Sequence, residues 1–345
     1  MQYDALNKQK IDTKNIHKVN MFKNIKFLKH SNKRILTILL LLAVVLILTF
    51  LFIGITPKNF GYNFPRRVKK VLSIILTGSS IAFSSVVFQT ITNNRVLTPS
   101  VLGLDSLYMF IQTLVVYLFT SSSVLVANKN INFILCLGIM IGFSGVLFKI
   151  MFKRENNNVL FLVLICIIFG SLFSSLSSFM QMLIDPNEFL IVQDKMFASF
   201  NNINTNILFI SILSIAIIGI YIYRDIKFLD VLSLGRDNAI NLGVDYERVV
   251  KRFLFAVAVL VSISTALSGP ITFLGILVVN LAKELMKTYK HIYWFISAIL
   301  ISIIALVGGQ LIVERLLNFS TSLSVIINFI GGVYFIYLLI KENKR

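Results

Sequence analysis

Long apolar runs alternate with short polar segments along almost the whole chain. A helix needs about 20 mostly apolar residues to cross the roughly 30 Å hydrocarbon core of a bilayer. Ten runs approach that length, with little sequence left between them. The pattern predicts ten membrane-spanning helices, at 35–55, 68–91, 101–119, 131–150, 159–184, 205–223, 250–268, 270–286, 293–312 and 323–340.

Composition favours one membrane domain over two soluble ones. Hydrophobic residues make up 57% of the chain and charged residues only 14%, whereas a soluble domain carries about 25% charged residues. We therefore expect an all-α polytopic membrane protein. A basic segment, 1–34, precedes a single transmembrane domain, 35–345. No small-residue cleavage site follows the first run, so we expect an uncleaved anchor.

Lysine and arginine are distributed unequally between the two sides of the predicted bundle. If the N-terminus is cytoplasmic, 25 of the 33 basic residues lie in inside segments. Cytoplasmic loops carry such an excess, so both termini are predicted to be cytoplasmic. The net charge of +18 therefore reflects topology, and a nucleic-acid partner is not expected.

One basic cluster lies on the opposite side, in the first predicted external loop: Arg66, Arg67, Lys69 and Lys70. Two interpretations are about equal. Either the N-terminal charges already fix the topology and these are tolerated, or they form a docking patch for an acidic extracytoplasmic partner. The 1–34 segment has two interpretations as well: an amphipathic helix on the anionic inner leaflet, or an unstructured basic tail.

Catalytic chemistry is not indicated. His17, His30 and His291 lie in or beside predicted cytoplasmic segments, and Cys136 and Cys166 are isolated within apolar runs. This is neither a nucleophile–base pair nor a metal-ligand cluster. We expect no enzyme activity, no metal and no cofactor.

Ion-driven carriers usually keep carboxylates or histidines near the membrane midplane. Here the acidic candidates fall near predicted span ends: Asp105, Asp185, Glu284 and Glu314. Sodium coupling through backbone carbonyls stays open. The absence of midplane charges favours a permease that receives its energy from a partner, with a stand-alone secondary transporter and a non-transporting scaffold as alternatives.

The 224–252 segment is the longest predicted cytoplasmic loop. It contains two short amphipathic pieces, one around 228–232 and one around 239–244, which Gly235 and Gly243 separate and end, as glycine does at helix termini. Such a loop suits a surface for a cytosolic protein. The alternative is a simple interfacial connector.

Small polar residues form faces on two spans. Ser171, Ser174, Ser175 and Ser178 share one face of the fifth span, while Ser80, Ser84 and Gln89 lie on the second. Close helix packing explains such residues most simply. The alternative is an uncharged lining for a bulky polar solute, to which the Gly269-Pro270 interruption before a short apolar segment would belong.

Several ordered motifs over 60–345 resemble the FecCD-type, BtuC-like permeases, the membrane subunits of ABC importers for iron–siderophores, haem and cobalamin. They are Asn-Phe-Pro-Arg at 63–66, the segments 78–89 and 92–99, Leu-Gly at 102–103, Leu-Ser-Leu-Gly at 232–235, Ala239, Leu-Gly-Val at 242–244, Ser-Gly-Pro-Ile at 268–271 and Phe-Leu-Gly at 273–275. Asn63 replaces an arginine of the family pattern, and the central Asn-Pro of its 92–99 turn is not kept. Val279-Asn280 replaces the usual Pro-His and resembles a subgroup for catechol-type siderophores.

The resemblance implies the type II ABC importer architecture, with ten helices and both termini cytoplasmic. It implies four partners besides the bilayer: two cytosolic ATPase subunits, a second and different permease, and an extracytoplasmic siderophore-binding protein. ATP hydrolysis would take place on the separate ATPase subunits. The expected function is uptake of a ferric siderophore across the cytoplasmic membrane.

The resemblance and the patterns above together predict three groups of functional residues. Arg66 and Arg315 are expected to bind the binding protein because of their positions in the family motifs, and Arg67 because it is next to Arg66. ATPase coupling is expected from Leu232, Leu234, Gly235, Ala239, Leu242 and Gly243. The translocation pathway is expected to include Ser80, Ser84, Gln89, Ser171, Ser174, Ser175, Ser178, Gly269 and Pro270.

Overall fold

The computed structural model describes residues 32–54, 57–120, 123–151, 159–201 and 203–343. The basic segment 1–34, for which a helix or an unstructured tail was predicted, therefore lies almost wholly outside the described residues. So do His17 and His30.

The described residues form fourteen α-helices and no strand. Their bounds are α1 Asn32–Phe52, α2 Phe60–Ile91, α3 Leu104–Phe119, α4 Val124–Ala127, α5 Lys129–Met151, α6 Val159–Leu183, α7 Pro186–Met196, α8 Thr205–Ile222, α9 Leu229–Leu232, α10 Arg236–Asn241, α11 Tyr246–Ser268, α12 Leu274–Leu285, α13 His291–Arg315 and α14 Leu323–Asn343.

Eight of these helices are long and apolar enough to cross a membrane: α1, α2, α5, α6, α8, α11, α13 and α14. Two shorter ones complete the predicted set, α3 with 16 residues and α12 with 12. The all-α polytopic fold is thus confirmed. At 1.5 Å per residue α12 covers about 18 Å, because Gly269 and Pro270 keep the first residues of the expected 270–286 span out of the helix.

Helix α2 occupies the centre of the bundle and packs along α11 and α13. Its small residues permit that approach: a Cβ on Gly78 would lie 2.8 Å from Ser302 Oγ and 3.1 Å from a methyl of Leu306 on α13. The second half of α2 is buried almost continuously. This supports the packing interpretation for the small residues of α2.

Helix α3 begins in the middle of the bundle. A short 3₁₀ turn, Pro99–Leu102, leads into it, and Gly103 follows with a φ of 72°. Gly103 packs against Gly170, near the middle of the 25-residue helix α6. The first turn of α3 therefore lies close to the midplane of the bundle, although in the sequence it stands at the start of a span.

The basic cluster at 66–70 is helical, whereas the sequence analysis placed it in a loop. Helix α2 starts at Phe60 and includes Pro65. Proline removes one backbone donor, here the one that would bond to the Gly61 carbonyl, but the helix continues through it. The helix therefore extends beyond the predicted span, and Arg66, Arg67, Lys69 and Lys70 lie on its first turns.

Candidate functional site

Two ends of the helix bundle carry the candidate residues. We call the end that contains the 224–252 segment the loop end, and the end that contains Arg66, Arg67 and Arg315 the arginine end. Helix α2 runs from the arginine end, where it begins, to the loop end, where Thr90 and Ile91 terminate it.

At the loop end, the 224–252 segment folds as two short helices, α9 and α10, before α11 starts. Gly235 separates them with a φ of 95°, and Gly243 ends α10 with a φ of 81°. Both values lie in the region that glycine adopts without strain. The predicted amphipathic pieces and their glycine boundaries are thus present in the structure.

The apolar side chains of this segment divide into two sets. Leu232 and Ala239 are buried against the bundle, whereas Leu234 and Leu242 are 55% and 62% exposed. Ile240 belongs to the exposed set at 48%. The piece predicted around 239–244 thus contains both the buried Ala239 and the exposed Leu242. We call Leu234, Ile240 and Leu242 the exposed trio.

A hydrogen-bonded chain through the buried ring of His291 joins α9 to the transmembrane helices. Asp230 Oδ1 accepts from the backbone N–H of His291 at 2.9 Å and lies 2.6 Å from its Nδ1. On the other side of the ring, His291 Nε2 lies 2.9 Å from Thr90 Oγ1. His291 is 1% exposed, so one imidazole connects α9, the start of α13 and the end of α2.

Beside this chain lies a polar cavity of about 830 Å³ that opens at the loop end. Gln89 lines it, accepts from Lys283 Nζ at 2.8 Å and donates to the Arg95 carbonyl at 2.8 Å. Asn280, one of the departures from the family pattern, donates to the same carbonyl at 3.1 Å. Gln89, predicted to line the pathway, thus helps to fix the turn that follows α2.

At the arginine end, two of the three predicted docking residues contact the end of α1. Arg67 Nη1 donates to the carbonyls of Phe50, Leu51 and Ile53 at 2.7–3.1 Å, and Arg315 Nη2 donates to Ile53 at 2.8 Å. The last carbonyls of a helix lack intrahelical partners. Both arginines therefore stabilise the C-terminus of α1.

Arg66 is exposed and stacks on the ring of Tyr62, 3.9 Å from its centroid. Nearby, Lys70 pairs with Glu314 at 2.5 Å, with both side chains less than 15% exposed. Arg66 is thus the docking candidate whose guanidinium has no described bond to a backbone carbonyl. Docking stays a prediction for all three arginines.

The predicted pathway serines occupy two different environments. Ser80 and Ser84 are 2% and 0% exposed, inside the packing of α2, and their hydroxyls have no partner among the described residues. The four α6 serines, in contrast, are all exposed on the outside of this single chain: Ser171, Ser174, Ser175 and Ser178. The structure does not bring the two sets together.

Gly269 ends α11 with a φ of 93°, and a Cβ there would lie 3.1 Å from the Phe197 carbonyl oxygen and 3.1 Å from Ala198 Cα. The Ser268 carbonyl accepts from Ser199 N–H at 2.7 Å. Gly269 and Pro270 therefore form a turn packed on the segment after α7. Their place in the pathway stays a prediction.

A second cavity, of about 260 Å³, opens at the arginine end between α3, α5, α7 and α11. Lys129, Asp194 and Lys195 are among its lining residues. Burial lowers the pKa of Lys195, Lys129 acts in the same direction, and Asp194 opposes both. The sequence analysis gave no role to these residues, because their proximity depends on how α5 and α7 pack.

Comparison with known proteins assigns the family. The model of the FecCD transport family matches residues 35–341. The chain belongs to the FecCD transport family. Among curated relatives, the petrobactin import system permease protein YclO of Bacillus subtilis is 62% identical over 91% of this chain and 99% of its own length. The petrobactin import system permease protein FatC of Bacillus anthracis is 35% identical over 81% and 78%.

A solved inward-facing structure of a putative metal-chelate type ABC transporter has the same fold. It matches with a TM-score of 0.75 and 24% identity, over 90% of this chain and 99% of the other. The predicted family and the type II importer architecture are confirmed. The chain is a multi-pass membrane permease, the transport subunit of an ABC importer, and not its ATPase.

Proposed function

We propose that this permease carries a ferric catechol-type siderophore through the membrane, with petrobactin as the first candidate. The observation that carries the proposal is the 62% identity to YclO over nearly all of both chains. A second petrobactin permease, FatC, is also more than 30% identical. A secondary transporter working alone is not favoured, because both relatives are permeases of import systems.

The distribution of lysine and arginine indicates how the permease is oriented in the membrane. The segments at the loop end, with both termini, hold 25 of the 33 lysines and arginines under the predicted topology. Cytoplasmic segments carry this excess, so we place the loop end in the cytoplasm. The arginine end then faces the extracytoplasmic space, where Arg66, Arg67 and Arg315 would meet acidic side chains of a siderophore-binding protein.

The loop end has the properties expected of an ATPase docking surface. The exposed trio presents three apolar side chains to the cytoplasm, beside the buried anchors Leu232 and Ala239. Exposed apolar side chains that lie next to one another are typical of protein interaction sites. Movement of the ATPase would reach α2 and α13 through Asp230, His291 and Thr90.

A second permease would complete the pathway. The petrobactin systems of both organisms include another permease, YclN and FatD, which supports a heterodimer. The exposed serine face of α6 suits such a partner: it is polar, uncharged and on the outside of this chain. The cargo would pass between the two permeases along this face.

Complementation tests the proposal. A strain that lacks its own petrobactin uptake receives this chain with its second permease, ATPase and binding protein, and uptake of radioactive iron is measured. Iron supplied as ferric petrobactin should enter, whereas iron supplied as a ferric hydroxamate siderophore should not. Uptake of the hydroxamate complex alone would contradict the assigned substrate class.

A further inference from the structure

Near the midplane of the bundle lies a carboxylate that has no cationic partner within the described part of the chain. Asp105 belongs to the first turn of α3, which the contact between Gly103 and Gly170 places level with the middle of α6. Its hydrogen-bond partner among the described residues is Thr265, whose hydroxyl donates to Asp105 Oδ1 at 2.9 Å. An unpaired charge at this depth is costly, so a compensating positive charge or a proton is required.

Beside Asp105 lies a small cavity of about 20 Å³. A cavity of more than roughly 10–15 Å³ accommodates one water molecule, and hence an ion of similar size. Its lining contains no other charged residue among those described: Ile81, Ser85, Pro99, Ser100, Val261, Ser264, Thr265, Ile271 and Gly275.

The hydroxyl groups around this cavity are arranged as acceptors. Ser264 donates its proton to the Val261 carbonyl at 2.9 Å, and Ser100 donates to the Thr272 carbonyl at 3.0 Å. Thr265 donates to Asp105 itself. A hydroxyl has one proton and two lone pairs, so these groups have only lone pairs left for a ligand.

Ser85 supplies an independent indication of a ligand. It is 0% exposed, it lines the cavity, and its hydroxyl has no partner among the described residues. Buried hydroxyls are nearly always hydrogen-bonded. Gly275 faces it, and a Cβ there would collide with the Ser85 side chain. The glycine therefore lets the backbone of α12 approach the unpartnered hydroxyl closely.

We infer that Asp105, Ser85, Ser100 and Ser264 form a binding site for one monovalent cation of the size of sodium. Hard cations prefer oxygen ligands, and one carboxylate balances one positive charge. Within the described residues no group of three acidic, histidine or cysteine side chains could hold a metal ion, which disfavours a divalent ion.

The 260 Å³ cavity of the arginine end lies along the same helix faces as this site. Asp105 lines the inner cavity and Tyr108 the outer one, three residues apart on α3, and Thr265 and Ser268 have the same relation on α11. Residues three apart share a helix face. In this proposal the cation enters from the arginine end, and its ligands join α2, α3 and α11.

Binding of radioactive sodium to the purified transporter complex, in a scintillation proximity assay, tests the inference. We expect saturable binding of one ion per copy of this chain, and no binding in Asp105→Asn. Ser85→Ala, which leaves the carboxylate in place, should weaken binding about tenfold or more, the equivalent of one lost ligand at about 1.4 kcal/mol. The exposed helix cap variant Asp185→Asn is the matched control and should bind as the wild type does.

Two outcomes would overturn the inference. The first is the absence of saturable sodium binding in the wild type, together with an infrared carboxylic acid band that Asp105→Asn removes. Asp105 would then be protonated beside a water molecule. The second is equal sodium binding by the wild type and Ser85→Ala, which would place the ion elsewhere even if Asp105→Asn fails to fold.

Discussion

Asp230 on α9 holds His291 at the start of α13 through two contacts to one carboxylate oxygen, 2.9 Å from the backbone nitrogen and 2.6 Å from Nδ1. Its Nε2 lies 2.9 Å from Thr90 Oγ1 on α2, and the Thr90 hydroxyl itself donates to the Val86 carbonyl at 2.8 Å. A movement of α9 away from α13 therefore breaks two hydrogen bonds to the Asp230 carboxylate. Because this side chain is 39% exposed, each bond contributes at the lower end of the roughly 1.5–3 kcal/mol range for charged partners.

Asp230→Ala should uncouple transport from ATP hydrolysis. Loss of these bonds frees α9 from α13, so we expect siderophore uptake to fall about tenfold or more, since 1.4 kcal/mol corresponds to a factor of ten. The basal ATPase rate of the complex should persist. Uptake and ATP hydrolysis are measured on the same preparation of proteoliposomes.

The control for this prediction is Asp237→Ala, which removes an exposed aspartate from α10. Uptake should be unchanged there. If both variants lose uptake equally, or if neither does, the chain from Asp230 to Thr90 does not carry the coupling.

Negative charges introduced into the exposed trio should prevent the ATPase from binding to the permease. Leu234→Asp combined with Leu242→Asp places two carboxylates in the expected interface, where buried unpaired charges cost several kcal/mol. Co-purification of the ATPase should be lost while the amount of permease in the membrane stays constant. Lys227→Asp, an exposed change on the same segment, should leave the complex intact. Retention of the ATPase by the double variant would refute this surface.

Glycine at 103 should be required for stability. Alanine there would place a Cβ 2.9 Å from Gly170 Cα and would hold a φ of 72° that alanine resists. We expect Gly103→Ala to destabilise the protein by roughly 1–3 kcal/mol and to lower its melting temperature in detergent. Gly138→Ala, where a Cβ would meet nothing within 4 Å, is the control. Equal melting temperatures for the two variants would mean that α3 and α6 do not pack this closely.

The arginines should separate into a docking role and a stabilising role. Arg66→Glu reverses an exposed charge, so it should weaken binding of the siderophore-binding protein, and added salt should reduce the difference from wild type. Its melting temperature should not change. Arg67→Ala removes bonds to three carbonyls at the end of α1 and should lower the melting temperature. A stable Arg67→Ala protein would contradict the capping role.

Periodicity was sufficient to predict the ten apolar helices, because hydrocarbon thickness sets a length that the sequence must satisfy, but it did not predict the short helices α4 and α7. The loop end was also predictable, since Gly235 and Gly243 terminate short helices by local geometry. The position of Asp105 near the midplane of the bundle could not be predicted from the sequence. It depends on the 3₁₀ turn before α3 and on the Gly103–Gly170 contact, a pairing of residues far apart in the sequence.

The partners of individual side chains could not be predicted from the sequence either. Nothing in the local sequence around Asp230, His291 or Thr90 indicates that they meet, because they lie on three separate elements. The basic cluster at 66–70 was visible as an exception to the charge rule. Only the packed structure distinguishes Arg67, which caps α1, from Arg66, which does not.

Reconstituted transport tests the central claim most directly. The chain, its second permease and the ATPase are placed in proteoliposomes with ATP inside, and loaded siderophore-binding protein is added outside. The account predicts accumulation of ferric petrobactin that requires ATP hydrolysis and is lost with Leu234→Asp combined with Leu242→Asp. Accumulation by this chain alone, driven by an ion gradient without ATP, would contradict it.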